Sequence, residues 1–161
     1  MSHLVLDASM ALSWLLPDEA NATAVAVQAE LTKAEGVWVG AHWRLEVANS
    51  LCMAERRKRL DATGIAQAVA LFTQLPVIVD PETNEHASGA TLSLAREHGL
   101  SVYDAAYLEL ALRRGATLAT FDGPLRDVAK KLGVPLLPKK LVRVRSATGL
   151  KASNIGQKAL N

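Results

Sequence analysis

Cysteine occurs once in the 161 residues, at Cys52, which excludes an intramolecular disulfide and any thiolate metal site. What remains for it is the role of a small apolar residue in a helix packing face. Aromatic residues are scarce, and Trp14, Trp38 and Trp43 each sit inside an apolar run, so they read as core or interface residues rather than base-stacking platforms. Long apolar runs are missing too: the stretch from Met10 to Leu16 is far too short to cross a bilayer. Near the N-terminus Asp7 interrupts the sequence before an apolar core develops, and no basic segment precedes it, which predicts no secretory signal and a cytoplasmic location.

Half of the residues are apolar, which excludes a disordered chain and suits one compact, helix-rich α/β domain. Charge is unevenly spread. Residues 1–138 carry 12 Lys and Arg against 16 Asp and Glu, whereas residues 139–161 carry six basic residues (Lys139, Lys140, Arg143, Arg145, Lys151 and Lys158) and no acid. An acidic body of residues 1–138 with a basic tail of residues 139–161 is the expected organisation, the tail being either a nucleic-acid or partner contact or a solvated end.

Short apolar runs bounded by turn residues predict strands at 3–6, 37–40, 77–79, 117–120 and 135–137. Helical periodicity lies between them: Ile65, Ala68, Val69 and Phe72 recur behind Asp61, and Leu125, Val128, Ala129 and Leu132 behind Asp122. Further helices are expected at 20–34, 42–58, 83–98 and 104–114, with Gly99, Gly115 and Gly133 as stops. Strands alternating with helices predict an α/β fold, a parallel sheet of about five strands covered on both faces.

Four acidic residues stand at the boundaries that such a sheet would gather on one edge. Asp7 closes the first strand, Asp122 follows the fourth, and Glu46 and Asp104 lie near the starts of two helices. Ligands of open α/β sheets bind at the carboxyl ends of the strands. Like charges in one cleft repel unless a cation neutralises them, and oxygen-only ligands favour Mg²⁺ or Mn²⁺ over zinc. Singly, Asp7, Asp104 and Asp122 each also fit the ordinary role of a helix N-cap. Glu46, inside its helix, has no such alternative beyond a favourable dipole position.

Neighbouring residues extend the pattern. The segments Val5-Leu6-Asp7-Ala8-Ser9, Glu46-Val47-Ala48-Asn49-Ser50-Leu51, Gly99-Leu100-Ser101-Val102-Tyr103-Asp104-Ala105-Ala106-Tyr107 and Leu118-Ala119-Thr120-Phe121-Asp122 resemble, in their order and spacing, the motifs of the PIN-domain ribonucleases, and in particular the VapC-type toxins of toxin-antitoxin modules. The resemblance runs from Leu4 to Leu137. It implies a three-layer α/β/α nuclease domain and metal-dependent cleavage of RNA phosphodiesters that leaves 5′-phosphate and 3′-hydroxyl ends. Asp7, Glu46, Asp104 and Asp122 would then hold one or two Mg²⁺ or Mn²⁺ ions, with Ser9, Asn49 and Thr120 supporting them. It also implies a cognate antitoxin and a homodimer. One departure is Ala41-His42, where relatives often carry a proline.

The basic runs Arg56-Arg57-Lys58-Arg59, Arg113-Arg114 and Lys130-Lys131 close helices, where cations match the macrodipole, so they read as structural or partner-facing. Arg44 and Arg126 sit in first turns, where a cation is disfavoured and needs a reason, and Lys139 and Lys140 follow the last strand; these four are the expected RNA phosphate contacts. His3, His42, His86 and His98 show no pairing that suggests histidine acid–base chemistry. Trp14 with Leu12, Leu15 and Leu16 forms a short apolar surface suited to a partner segment. Two other readings remain open: a non-catalytic PIN-fold binding module, and an aspartate-phosphorylating hydrolase using Asp7.

Overall fold

A computed structural model describes residues 3–141. Arg143, Arg145, Lys151 and Lys158 of the expected basic tail lie outside the described residues. Five parallel strands form one sheet: β1 (His3–Leu6), β2 (Gly36–Val39), β3 (Ile78–Val79), β4 (Thr117–Ala119) and β5 (Leu136–Leu137), in the spatial order β3-β2-β1-β4-β5. All four pairings are parallel, with Val5 opposite Trp38 and Leu6 opposite Ala119. Because β2 lies on one side of β1 and β4 on the other, the strand order reverses at β1. That reversal opens a crevice at the carboxyl ends of β1 and β4, where open α/β sheets take their ligands.

Helices cover the sheet. On one side α1 (Ala8–Leu15) packs on α2 (Ala22–Leu31), α3 (Trp43–Arg56) and α4 (Ala62–Gln74); on the other, α7 (Val102–Arg114) packs on α6 (Leu92–His98), α8 (Gly123–Lys131), β1 and β4. The central strands are buried on both faces, which is why Leu4, Val5, Leu6 and Leu118, Ala119 read as continuous apolar runs instead of alternating ones. Trp43 is fully buried and Trp38 partly buried, as their apolar surroundings predict.

Several local expectations change. The helix expected over 83–98 is broken into α5 (Thr83–His86) and α6 by a wider turn at Ala87–Thr91, because Gly89 adopts a non-helical conformation (φ −108°, ψ −107°). Gly99 and Gly115 end their helices in the left-handed conformation, where a glycine meets no Cβ clash. Cys52 is exposed on α3 instead of packed in a helix interface.

The Arg113-Arg114 pair is structural. Both arginines donate to the buried Asp80 carboxylate, Arg113 also reaches Glu109 and Glu82, and the Arg114 guanidinium lies 3.4 Å from the Trp38 ring centroid. Burial alone would raise the Asp80 carboxyl, but the bonds from Arg113, Arg114 and Thr83 outweigh it and hold it below the usual carboxylate range.

Candidate active site

Asp7 stands at the end of β1 with its chain turning into α1, and its carboxylate does two jobs. One oxygen accepts from the Met10 backbone N–H at 2.9 Å, which caps α1. The same carboxylate also accepts from the Ser9 hydroxyl at 2.8 Å and from the Thr120 hydroxyl. Each hydroxyl in turn accepts a backbone N–H, Ser9 from Phe121 and Thr120 from Asp122, both at 2.9 Å. The turn after β4 is thus tied to the end of β1 through a chain of donors that all point at Asp7. Ser9 and Thr120, both named by the motifs, are thus the two side chains that donate to Asp7.

Asp7 is only 3% exposed. Burial pushes its carboxyl up to about 7, against the opposing pull of the Thr120, Met10 and Ser9 hydrogen bonds, and the nearby Glu46 charge adds to the rise. A carboxylate enclosed this way and occupied by hydroxyl donors has little access for in-line attack on a phosphoryl group, which weighs against the phosphorylated-aspartate alternative.

Glu46 lies on α3, half-buried, and accepts a 2.8 Å hydrogen bond from the Tyr107 hydroxyl of α7, so the two helical layers meet across the crevice. Its carboxyl is raised by burial and by the Asp104 and Asp122 charges, against the Tyr107 bond. Asp104 is raised in the same way, by burial first and then by Asp122, against its bond to Ser101. The four carboxylates therefore share one electrostatic environment at the sheet's carboxyl edge, and each of Asp7, Glu46 and Asp104 resists ionisation there.

Capping roles divide differently from the sequence expectation. Asp122 caps α8 by accepting from Leu125 N–H at 2.8 Å, as Asp7 caps α1. Asp104 is not a cap. Ser101 occupies that position, accepting from Asp104 N–H and donating through the same hydroxyl to the Asp104 carboxylate at 2.8 Å. Glu46 and Asp104 are thus free of any obligatory backbone duty.

The side chains do not stand ready to close on one point: among the described residues no three His, Cys, Asp or Glu side chains form a compact ligand cluster. Glu46 is turned to Tyr107 and Asp104 to Ser101, local donors that like-charged neighbours favour over mutual approach. An all-carboxylate donor set in which Asp7, Glu46 and Asp104 are raised by burial and by neighbouring carboxylates still fits a hard divalent cation, which removes the repulsion among them.

The expected phosphate contacts fare less well. Arg126 is 2% exposed and donates to the backbone carbonyls of Thr120, Leu137 and Pro138, at 2.8, 3.2 and 2.6 Å. It braces the carboxyl ends of β4 and β5 and has no free face for RNA, so that expectation is corrected. Arg126→Met is expected to strip the side-chain donor from the Thr120 and Pro138 carbonyls, while Leu137 keeps the Thr120 N–H at 3.0 Å, and to lower stability by about 3 kcal/mol, read from urea unfolding midpoints. Arg44 is exposed, with its guanidinium 5.6 Å from the Phe72 ring centroid, on the α4 side of α3. Lys139 lines a separate cleft with Leu4, Glu30 and Thr117, and Lys140 is exposed beyond it. Neither Arg44 nor Lys139 lines the carboxylate clefts.

Sequence reasoning missed Tyr107 and Ser101 as partners of the acidic residues, and it set His42 aside. Tyr107 lies three residues after Asp104 and Ser101 three before it, the helical spacing that places side chains on one face. His42 lies four residues before Glu46, with its Nε2 3.6 Å from the Glu46 carboxylate, and burial holds its imidazole below the ordinary pKa. Asn49 is exposed and lines the same cleft as Glu46 and Asp104.

A parallel five-stranded sheet with strand order β3-β2-β1-β4-β5 and acidic side chains at the switch point defines an α/β class whose ligand site lies at the carboxyl edge of the sheet. The family model of the PIN domain matches residues 4–131, and the chain belongs to that family. It is 31% identical over 139 residues to Ribonuclease VapC3 of Pyrobaculum aerophilum, an alignment covering 84% of this chain and 98% of that one. Among solved structures, FitAcB from Neisseria gonorrhoeae superposes with a TM-score of 0.59 at 18% identity, over 84% of this chain and 97% of that chain. VapBC2 from Rickettsia felis, bound to a DNA fragment from their promoter, gives 0.58 at 12% identity, over 83% and 96%. At those identities the two structures bear on the fold alone.

Proposed function

We propose that this protein is a Mg²⁺- or Mn²⁺-dependent endoribonuclease and the toxin of a type II toxin-antitoxin module. The observation that carries this reading is the crevice between β1 and β4, where a buried Asp7 shares its surroundings with Glu46, Asp104 and Asp122. The kinship to a ribonuclease of the VapC type over most of both chains supports it.

Asp7, Glu46, Asp104 and Asp122 would hold one or two ions. When bound there, a divalent cation would lower the pKa of a water and offset charge on the scissile phosphate. Ser9 and Thr120 fix the Asp7 carboxylate by donating to it, Tyr107 orients Glu46, and Ser101 orients Asp104, so each acidic group has a partner that sets its direction. No side chain is needed as nucleophile.

An antitoxin partner and a homodimer belong to the same reading. A groove of about 480 Å³ lined by Trp14, Val25, Leu71 and Leu75 suits a partner segment. Trp14 and Leu15 both line it, Leu15 being largely buried, whereas Leu16 lies in the core. Among the described residues no helix is long and apolar enough to cross a membrane, and a cytoplasmic location accords with the reading.

Purified protein is expected to cleave single-stranded RNA when Mg²⁺ or Mn²⁺ is added and to stop when a chelator is present. Robust cleavage with chelator would refute the metal mechanism. The second reading, a non-catalytic PIN-fold module, draws on the absence of a ready-made ligand cluster among the described residues. Failure to bind Mn²⁺ by calorimetry, together with no cleavage, would favour it.

A further inference from the structure

Beside Glu46 and Asp104 the cleft, about 450 Å³, is walled by groups that the carboxylate chemistry does not use: His42, Leu45, Asn49 and Tyr103. Two of them are apolar and unusually open to water, Leu45 at 76% and Tyr103 at 63% exposure. A tyrosine is ordinarily much more buried, and this chain has only two. Tyr103 is nevertheless held. The His42 ring packs on it with centroids 5.7 Å apart, and His42 is itself seated on Tyr107 at 4.7 Å, so the exposed ring is backed by two further rings. In the same wall the His42 Nε2 is buried without a hydrogen-bond partner.

An aromatic face backed on one side and bare on the other, adjoining acidic groups that would act on a phosphodiester, matches the chemistry of an unpaired base. Each base has a π-face that stacks on an aromatic ring, and a base already paired in a duplex has both faces covered. The edge of the cleft adds the Asn49 amide, which can both donate to and accept from a base edge. We infer that Tyr103, with Leu45 and Asn49 beside it, forms a subsite for one unpaired nucleobase next to the scissile phosphate of a single-stranded RNA. The subsite rests on the ribonuclease reading above and names the side chains that meet the base beside the cut. Stacking tolerates every base, so selection among bases falls to the exposed Asn49 amide.

The test uses a single-stranded RNA oligonucleotide cut at one mapped bond, and the same strand made abasic at the residue flanking that bond. Tyr103→Ala is expected to raise KM about tenfold on the intact strand, with a much smaller change in kcat, and to have little effect on the abasic strand. Tyr103→Phe, which keeps the ring, is expected to hold KM near the wild-type value. An unchanged KM in Tyr103→Ala, or equal losses on both strands, would overturn the subsite. If the wild-type protein cuts neither strand, the ribonuclease reading itself fails and takes the subsite with it, an outcome distinct from the other two.

Discussion

Asp104→Asn is expected to lower the rate of RNA cleavage at least about a hundredfold while moving the melting temperature by no more than about 2 °C. The small structural effect follows from where the cap lies. Ser101, not Asp104, starts α7, and an asparagine oxygen still accepts from the Ser101 hydroxyl. Losing a negative charge in a first turn ordinarily costs about 0.3–1 kcal/mol through the helix dipole. Here burial and Asp122 already disfavour that charge, so the net cost is smaller. The large functional effect follows from the donor set. A neutral amide removes one of four anionic groups from the crevice, and even indirect disturbance of metal ligands costs about 10–100-fold. Cleavage assays beside thermal melts separate the two quantities. Wild-type rates in a normally folded variant would make Asp104 a bystander of its helix.

The second large effect is a fall of stability with rising pH that a divalent cation opposes and in part offsets. Asp7 is raised from an unfolded value near 3.8 to about 7 in the fold. Below the unfolded value both states hold the proton and nothing is lost. Between about 4 and 7 the unfolded chain releases its proton while the fold retains it, so stability falls as pH rises, and above 7 the full penalty stands. Three pH units correspond to a penalty on the order of 4 kcal/mol. Glu46 and Asp104, raised in the same direction, deepen the trend. A bound cation needs the carboxylates ionised, so its contribution grows through the same window. At a hundredfold excess over its dissociation constant, Mg²⁺ or Mn²⁺ is expected to add about 2.7 kcal/mol, or about 5–10 °C at pH 8, and far less at pH 5. Melting curves across pH with chelator and with metal read both signs directly. An equal gain at pH 5 and pH 8 would point to binding elsewhere.

The sheet and the acidic edge were legible because buried parallel strands leave short apolar runs and because Asp7 follows one of them directly and Asp122 follows another three residues on. Spacing alone did not reveal which carboxylates were committed to caps. Asp7, Asp104 and Asp122 all precede helical periodicity, yet α7 starts at Val102, two residues before Asp104, and only the Ser101 cap bond shows it. Arg126 misled for a related reason. A cation in a first turn does need an explanation, but the explanation is three carbonyls at the ends of β4 and β5, partners distant in kind from a phosphate although identical in charge preference. A hint was present: Arg126 lies three residues before the buried Ala129, on the inward face of α8. The break at Gly89 left no comparable trace, since a single glycine among Ser88 and Ala90 is compatible with a continuous helix.

Calorimetric titration of the apo protein with Mn²⁺ at pH 8, run beside Glu46→Gln and Asp104→Asn, tests most directly whether the crevice acidic residues form one cation site. Saturable binding to the wild type, weakened about tenfold or more in each variant, is the predicted outcome. Identical isotherms for all three proteins, or no heat from any of them, would contradict it.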